Sequence, residues 1–307
     1  APNRKEMITN PKSLDEYLQS RKTLVDQALE LYLPAESTEP SVIFRSARYS
    51  VFAGGKRLRP ILCIGAAEAV GGPIDAVMPA ACALELIHTY SLIHDDLPAM
   101  DNDDTRRGKP TSHKIFGEAV AILAGDALLT DAFRIIAGRT PLGVVKPETL
   151  LQVIQELALA AGWFGMVGGQ VADIESEGKA PEEKTLHFIH TRKTGALITV
   201  SLRAGALLGG ADAAALDALT EYGRHVGLAF QIADDILNVE GDAKALGKGT
   251  GSDRDRGKLT YPALVGMETS KRVAAELVEK ALGDLSALDE RAEPLRMIAR
   301  FIVERKT

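Results

Sequence analysis

Residues Leu84–Pro110 read LELIHTYSLIHDDLPAMDNDDTRRGKP: an apolar run, then five aspartates within ten residues, then two arginines and a lysine. Carboxylates packed this densely repel one another, so Asp95, Asp96 and Asp101 call for cations to neutralise them. Oxygen ligands without His or Cys suit a hard cation such as Mg²⁺, which binds through one or two carboxylates plus substrate phosphates. Arg106 and Arg107 follow at once, and guanidinium is the side chain best shaped for phosphate oxygens. An isolated acidic run is most often a solvated helix end. Here it follows an apolar run directly, and a second acidic pair with a similar run before it occurs at Phe230–Asn238, FQIADDILN.

The apolar run also indicates the fold. From about Asp75 to Leu97 the chain is apolar on every helical face (MPAACALELIHTYSLI), which predicts a helix buried on all sides. Working outward, Ser13 with Asp15 and Glu16 opens a helix that runs to about Leu33, where Pro34 helps to end it. Further helices are expected at about Pro40–Ala53, Arg59–Val70, Glu118–Arg139, Pro147–Gly162, Pro181–Leu208, Ala213–Val239, Ser270–Leu285 and Pro294–Glu304. Repeated period-2 stretches are not evident, and Gly and Pro punctuate short connections. The expectation is an all-α fold: a single domain over residues 1–307, a large bundle of about ten helices around a central cavity.

Composition limits the partners. The 307 residues are 46% hydrophobic and 25% charged, with net charge −6, so nucleic acid is not an expected partner and any anion site rests on local basic clusters. Cys63 and Cys82 are the only cysteines, both in apolar surroundings, which argues against a disulfide framework and for a reducing compartment. The first residues, APNRKEMITNPKS, lack the apolar core of a signal peptide, and no apolar run approaches the roughly 18 residues of a membrane span. The expectation is a cytoplasmic protein without a membrane span.

The two acidic clusters pose different geometric problems. Asp95 and Asp101 are six apart, about 240° on a regular helix, and so face apart. Pro98 removes a helical hydrogen bond and disfavours helix before it, so unwinding there brings Asp101 back beside Asp95. Asp234 and Asn238 need no such device, lying i,i+4 on one face with Asp235 adjacent. Two such helices facing each other would hold several Mg²⁺ ions, with a diphosphate bridging them. Gly54–Gly55–Lys56–Arg57–Leu58–Arg59–Pro60 adds three cations at a loop-to-helix junction, where free N–H groups also favour anions. Lys193–Thr194 lies mid-helix in apolar surroundings. Lys248 and Lys258 flank a glycine-rich loop, either an ordinary exposed loop or a flap that closes over phosphate. Two partial matches fail. Glu85 and His88 have the spacing of a di-iron ligand pair but no second copy on another helix. Gly241–Lys248 has the wrong glycine spacing for a phosphate loop, no Ser or Thr after its lysine and no preceding strand.

With DDLPAMDNDDTRRGKPT, GGKRLRP and FQIADDILN in one helical chain, the sequence resembles the trans-isoprenyl diphosphate synthases, and among them the bacterial short-chain farnesyl diphosphate synthases. The resemblance runs from about Pro40 to Gly266 with the motifs in the family's order. It implies an all-α isoprenoid-synthase fold, a homodimer and three Mg²⁺ ions. It further implies that Asp95, Asp96 and Asp101 form one metal-binding motif, and Asp234 and Asp235 the other. Arg106 would hold the allylic diphosphate. Lys56, Arg59, His88 and Arg107 match the isopentenyl diphosphate pocket; Lys193, Thr194, Gln231, Lys248 and Lys258 match groups around the allylic diphosphate and the developing cation. Asn238 stands where the family often has a third aspartate, so it is left out of the ligands.

The implied reaction joins isopentenyl diphosphate to dimethylallyl or geranyl diphosphate, ending at farnesyl diphosphate. Tyr90 lies five residues before Asp95, about 7.5 Å deeper along the helix at 1.5 Å per residue. With Ser91 it matches the family's chain-length position, where a large aromatic halts growth at fifteen carbons. A geranylgeranyl diphosphate synthase differs only in depth there. A terpene cyclase of the same fold would not need GGKRLRP and Arg107, and a non-catalytic subunit of a heteromeric synthase would not need two substantially intact acidic clusters.

Overall fold

The structure is a computed structural model that describes residues 13–179, 182–240 and 260–305. Among them α-helix dominates, and the sheet is one two-residue ladder. The helices are α1 (Leu14–Tyr32), α2 (Ser41–Val51), α3 (Leu58–Ala69), α4 (Ile74–Asp95), α5 (Ser112–Phe116), α6 (Glu118–Arg139) and α7 (Pro147–Ala161). Then come α8 (Met166–Ser176), α9 (Glu183–Ile189), α10 (Ala196–Gly209), α11 (Ala213–Glu240), α12 (Tyr261–Val265), α13 (Met267–Asp284) and α14 (Glu293–Glu304). Ser13 caps α1 as its sequence predicts, its hydroxyl accepting from the Glu16 N–H at 3.2 Å.

α4 is the centre. It packs against α3, α6 and α10, with α1 and α2 also in contact, which is why no polar stripe was needed along it. One apolar cluster gathers α1, α2, α4, α6 and α7; the other gathers α11, α13 and α14. α1, α3 and α10 belong to both, offering Val25, Cys63 and Leu197 to the first and Tyr17, Leu62 and Ile198 to the second. Cys63 and Cys82 are unpaired and buried, and burial pushes the Cys63 thiol up to about 12.

Three local differences from the sequence expectation have physical causes. The helix expected over Pro181–Leu208 is interrupted by a π-helical turn, His190–Gly195, between α9 and α10; residues 180 and 181 lie outside the described residues. α8 was hidden by the glycines of GMVGGQ. They are tolerated because this helix meets the π turn backbone to backbone: a Cβ on Gly169 would lie 2.3 Å from the Lys193 nitrogen. The strand pair β1 (Thr105–Arg106) and β2 (Lys109–Pro110) is closed by Arg107 and Gly108, both at positive φ, as a two-residue hairpin requires.

The expected absence of any segment apolar enough for a membrane span also needs correction. Ile74–Asp95 and Pro147–Ser176 both reach the length and mean hydropathy of a span, because hydropathy averages over scattered polar residues that interrupt the contiguous runs. The first is 83% buried, a core helix. The second is only 33% buried, and its Leu151, Leu159, Trp163, Phe164, Val167 and Val171 are exposed.

Candidate active site

At the end of α4 the chain turns back on itself. The helix stops at Asp95, the Asn102 N–H donates to the Leu97 carbonyl at 3.0 Å, and the Asp101 N–H donates to the Asp95 carbonyl at 2.8 Å. Backbone hydrogen bonding thus carries Asp101 to Asp95 despite their unfavourable spacing. The hairpin that follows sends its two arginines apart. Arg106 grips buried Asp96, with Nε 2.7 Å and Nη2 2.6 Å from Oδ1, while Arg107 hydrogen-bonds the Gly54 carbonyl. Burial opposes the Arg106 charge, but the hydrogen bonds and charge of Asp96, with Asp103 and Asp95, raise its pKa.

The loop before α3 supplies a basic wall. Arg57 is left-handed at φ 53° and buried, held by Asp26 at 2.8 Å, Glu85 at 2.7 Å and the Val51 carbonyl at 2.7 Å. Glu85 is therefore the counter-ion of a structural arginine, which accounts for its place beside His88. Lys56, Arg59, His88 and Arg107 all line one cavity of about 660 Å³, together with Phe230 and Arg305. Burial lowers the Arg59 pKa, Arg107 lowers it further, and Glu85 and Asp234 oppose the shift. Its Nε is buried without a partner among the described residues. Burial, then Arg59, Arg107, Arg106 and Arg57, drives His88 well below the ordinary imidazole value, so its ring is neutral at pH 7. Lys56, Arg59 and Arg107 gathered on one hollow make an anion site.

α11 lines the same cavity through Val226 and Phe230, and the π turn packs against α11. A Cβ on Gly227 would lie 3.1 Å from the Gly195 Cα, so these glycines let the two backbones nearly touch. One helical turn on, the Thr194 hydroxyl donates to Gln231 Oε1 at 2.7 Å. Lys193 pairs with Asp173 of α8 at 2.6 Å. One residue of rotation, 100°, gives the two aspartates of this helix different surroundings. Asp234 has a side chain 42% exposed and meets Arg305 at 2.6 Å, whereas Asp235 is buried and receives the Tyr261 N–H at 2.8 Å. Asp173, His190 and Arg305 escaped the sequence reading: Asp173 lies on the unread helix, His190 is one of a run of polar residues, HTRKT, with nothing local to single it out, and Arg305 stands far from any motif.

Helices α4 and α11 both line this hollow, through His88 and Phe230, and the charges of Asp234 and Asp96 act on Arg59 and Arg107 respectively. Tyr90 is buried on α4 at 5.7 Å from the His94 ring in an edge-to-face arrangement, and burial with the Asp95 charge pushes its hydroxyl up to about 12. The Ser91 hydroxyl turns back to the His88 carbonyl at 2.8 Å. Lys248 and Lys258, with the loop they flank, lie outside the described residues.

The model of the polyprenyl synthetase family matches residues 40–296. The chain belongs to that family. A dimethylallyltranstransferase of Fischerella ambigua (strain UTEX 1903) is 49% identical over 294 residues, 95% of this chain and 84% of the relative. A farnesyl diphosphate synthase of Geobacillus stearothermophilus is 47% identical, with 95% and 98% covered. The solved geranylgeranyl pyrophosphate synthetase of Pyrococcus horikoshii Ot3 superposes with TM-score 0.86 at 33% identity, with 95% of this chain and 98% of that one covered. Polyprenyl synthetase membership makes the chain a short-chain prenyltransferase with the all-α isoprenyl-synthase fold. The names of its relatives divide between farnesyl and geranylgeranyl products.

Proposed function

We propose that the chain condenses isopentenyl diphosphate with dimethylallyl and then geranyl diphosphate, releasing farnesyl diphosphate. The observation that carries this reading is the cavity rimmed by Lys56, Arg59, His88 and Arg107, with acid-bearing α4 and α11 at its border. Lys56, Arg59 and Arg107 hold the isopentenyl diphosphate, and neutral His88 donates a hydrogen bond without adding charge. On the allylic side, Arg106, Lys193 and the lysines at 248 and 258 stabilise the diphosphate as its C–O bond breaks and it takes the electron pair. The double bond of isopentenyl diphosphate attacks the allylic cation, and the proton then leaves to diphosphate. The Thr194 carbonyl and Gln231 oxygen face the cation, and apolar walls keep water from it.

Mg²⁺, expected as three ions, supplies neutralisation of diphosphate charge when bound. The donor set fits: Asp95, Asp96, Asp101, Asp234 and Asp235 offer only carboxylate oxygens, as a hard cation prefers.

Buried Tyr90 favours the fifteen-carbon product over twenty carbons. The exposed apolar face of α7 and α8 supports a homodimer, with the cytoplasm as its proposed compartment. The test is incubation with labelled isopentenyl diphosphate and each allylic primer, with and without Mg²⁺. Fifteen-carbon product that vanishes in chelator is expected, and Tyr90→Ala extends it to twenty carbons or more. Undiminished synthesis in chelator would sink the metal assignment; an unchanged product from Tyr90→Ala would sink the gate.

A further inference from the structure

Asp235 is a buried carboxylate approached from three sides. The Tyr261 N–H donates to Oδ2 at 2.8 Å, the Gln231 amide nitrogen donates to Oδ1 at 3.3 Å, and His190 Nε2 lies 3.3 Å from Oδ2. An ionised carboxylate only accepts, so the face that Gln231 turns toward it must be its NH₂. The amide oxygen is thereby turned the other way, to the Thr194 hydroxyl, which donates to it at 2.7 Å. Asp235 thus settles which way round this amide sits.

His190 joins the two elements that this relay spans. It is buried, stacks on the Tyr261 ring with centroids 6.3 Å apart and 25° between planes, and opens the π turn that carries Lys193 and Thr194. Its Nδ1 is buried without a partner among the described residues, so its polar contact there is the one to Asp235. The π turn is therefore tied to α11 at two points: His190 to Asp235, and Thr194 to Gln231.

We propose that His190 is a positioning residue, pinning Asp235 to the π turn so that Gln231 keeps its oxygen toward Thr194 and the site of the developing cation. This rests on the function proposed above, in which that oxygen and the Thr194 carbonyl face the allylic cation. Without the imidazole the carboxylate keeps only the Tyr261 N–H on Oδ2, turns more easily, and lets the amide flip to present NH₂ to a positive centre. The loss then falls on the chemical step. The pocket of Lys56, Arg59, His88 and Arg107 is untouched, so the KM for isopentenyl diphosphate stays where it is.

His190→Phe keeps a ring for the Tyr261 stack and removes the nitrogen; His190→Gln returns a donor. Each variant is compared with the parent chain by steady-state kinetics in both substrates, thermal melting, and the ¹⁵N side-chain amide signal of Gln231, assigned by its loss in Gln231→Leu. Expected for His190→Phe is a fall in kcat of about tenfold, the usual scale for an outer-sphere partner, with KM for isopentenyl diphosphate changed by less than about twofold. The Gln231 signal shifts, and His190→Gln recovers most of kcat. An unshifted Gln231 signal overturns the proposal, as does wild-type kcat in His190→Phe, or a fall in kcat matched by equal changes in both KM values and in melting. A parent chain without prenyl transfer, whose Gln231 signal nonetheless moves in His190→Phe, upholds the relay and sinks the proposed function instead.

Discussion

The ends of α4 and α11 carry the same chemical device in two different backbones. On α4 the helix stops at Asp95 and the chain doubles back, so carboxylates that regular geometry would face apart are gathered by a loop and a hairpin. On α11 the helix runs unbroken through Asp234 and Asp235 to Glu240, and helical rotation alone sorts one aspartate outward and its neighbour inward. The arginine partners differ in the same way. Arg106 reaches Asp96 from ten residues on, whereas Arg305 reaches Asp234 from the far end of the chain. A broken helix gathers ligands locally; an unbroken one needs help from distant elements.

The sharpest way to break this comparison is to remove one carboxylate from each side. Asp95→Asn and Asp234→Asn should each lower kcat roughly 10²–10³-fold, the scale for losing one electrostatic group at a site of developing charge, with the melting curve preserved. Steady-state rates decide it, and a loss below about tenfold at Asp234 would mean that the α11 side is scenery rather than machinery.

Stability should follow burial rather than charge count. Arg57 and Glu85 are each only 2% exposed, so Glu85→Ala strands a buried guanidinium and should cost about 3–5 kcal/mol, softened where Asp26 still pairs with it. The Arg305–Asp234 pair has one partner 42% exposed, and Arg305→Ala should cost about 1 kcal/mol. Urea midpoints would separate the two; equal shifts would refute the burial argument.

Acid should act on the α4 side through His88. Its folded pKa lies well below the unfolded value of about 6.5, so the folded state keeps a neutral ring while the unfolded chain takes up a proton. That contribution to stability is fully present above about pH 6.5 and is lost as pH falls through the folded pKa. His88→Gln should flatten this part of the stability–pH curve below about pH 6.5. A curve of the same slope in the variant would assign the acid sensitivity to other groups.

The smallest change sharpens the comparison by making the two sides more alike. Asn238→Asp adds a third charge to the α11 face and should lower the Mg²⁺ concentration for half-maximal rate by roughly fivefold, about 1 kcal/mol for a solvated charge near 4 Å. A rise in that concentration would show the added charge working against the site.

Much of this molecule is written locally. The apolar faces of α4, the Ser13 cap, the i,i+4 order of α11 and the density of acids and bases in three short motifs all act within a few residues, where chemistry follows directly from spacing. α8 was unreadable because one of its glycines, Gly169, serves a close contact with Lys193, a residue distant in the chain. The π turn was unreadable for a related reason: its local composition is helical, and its widened geometry is held by packing between α8 and α11. Asp173 and Arg305 likewise have no short-range signature, because each takes its role from a partner on another helix.

By itself, then, the order of residues determined a helical chain with two acidic poles and a basic cluster, since helix periodicity and the repulsion of crowded charges act at short range; the prenyltransferase reading came from the resemblance its motifs carry. Only the tertiary structure decided which arginine serves as ballast and which faces the cavity, and which aspartate of each pair turns outward. Those outcomes depend on burial and on partners brought together across the fold, and burial is a property that no isolated stretch of chain possesses.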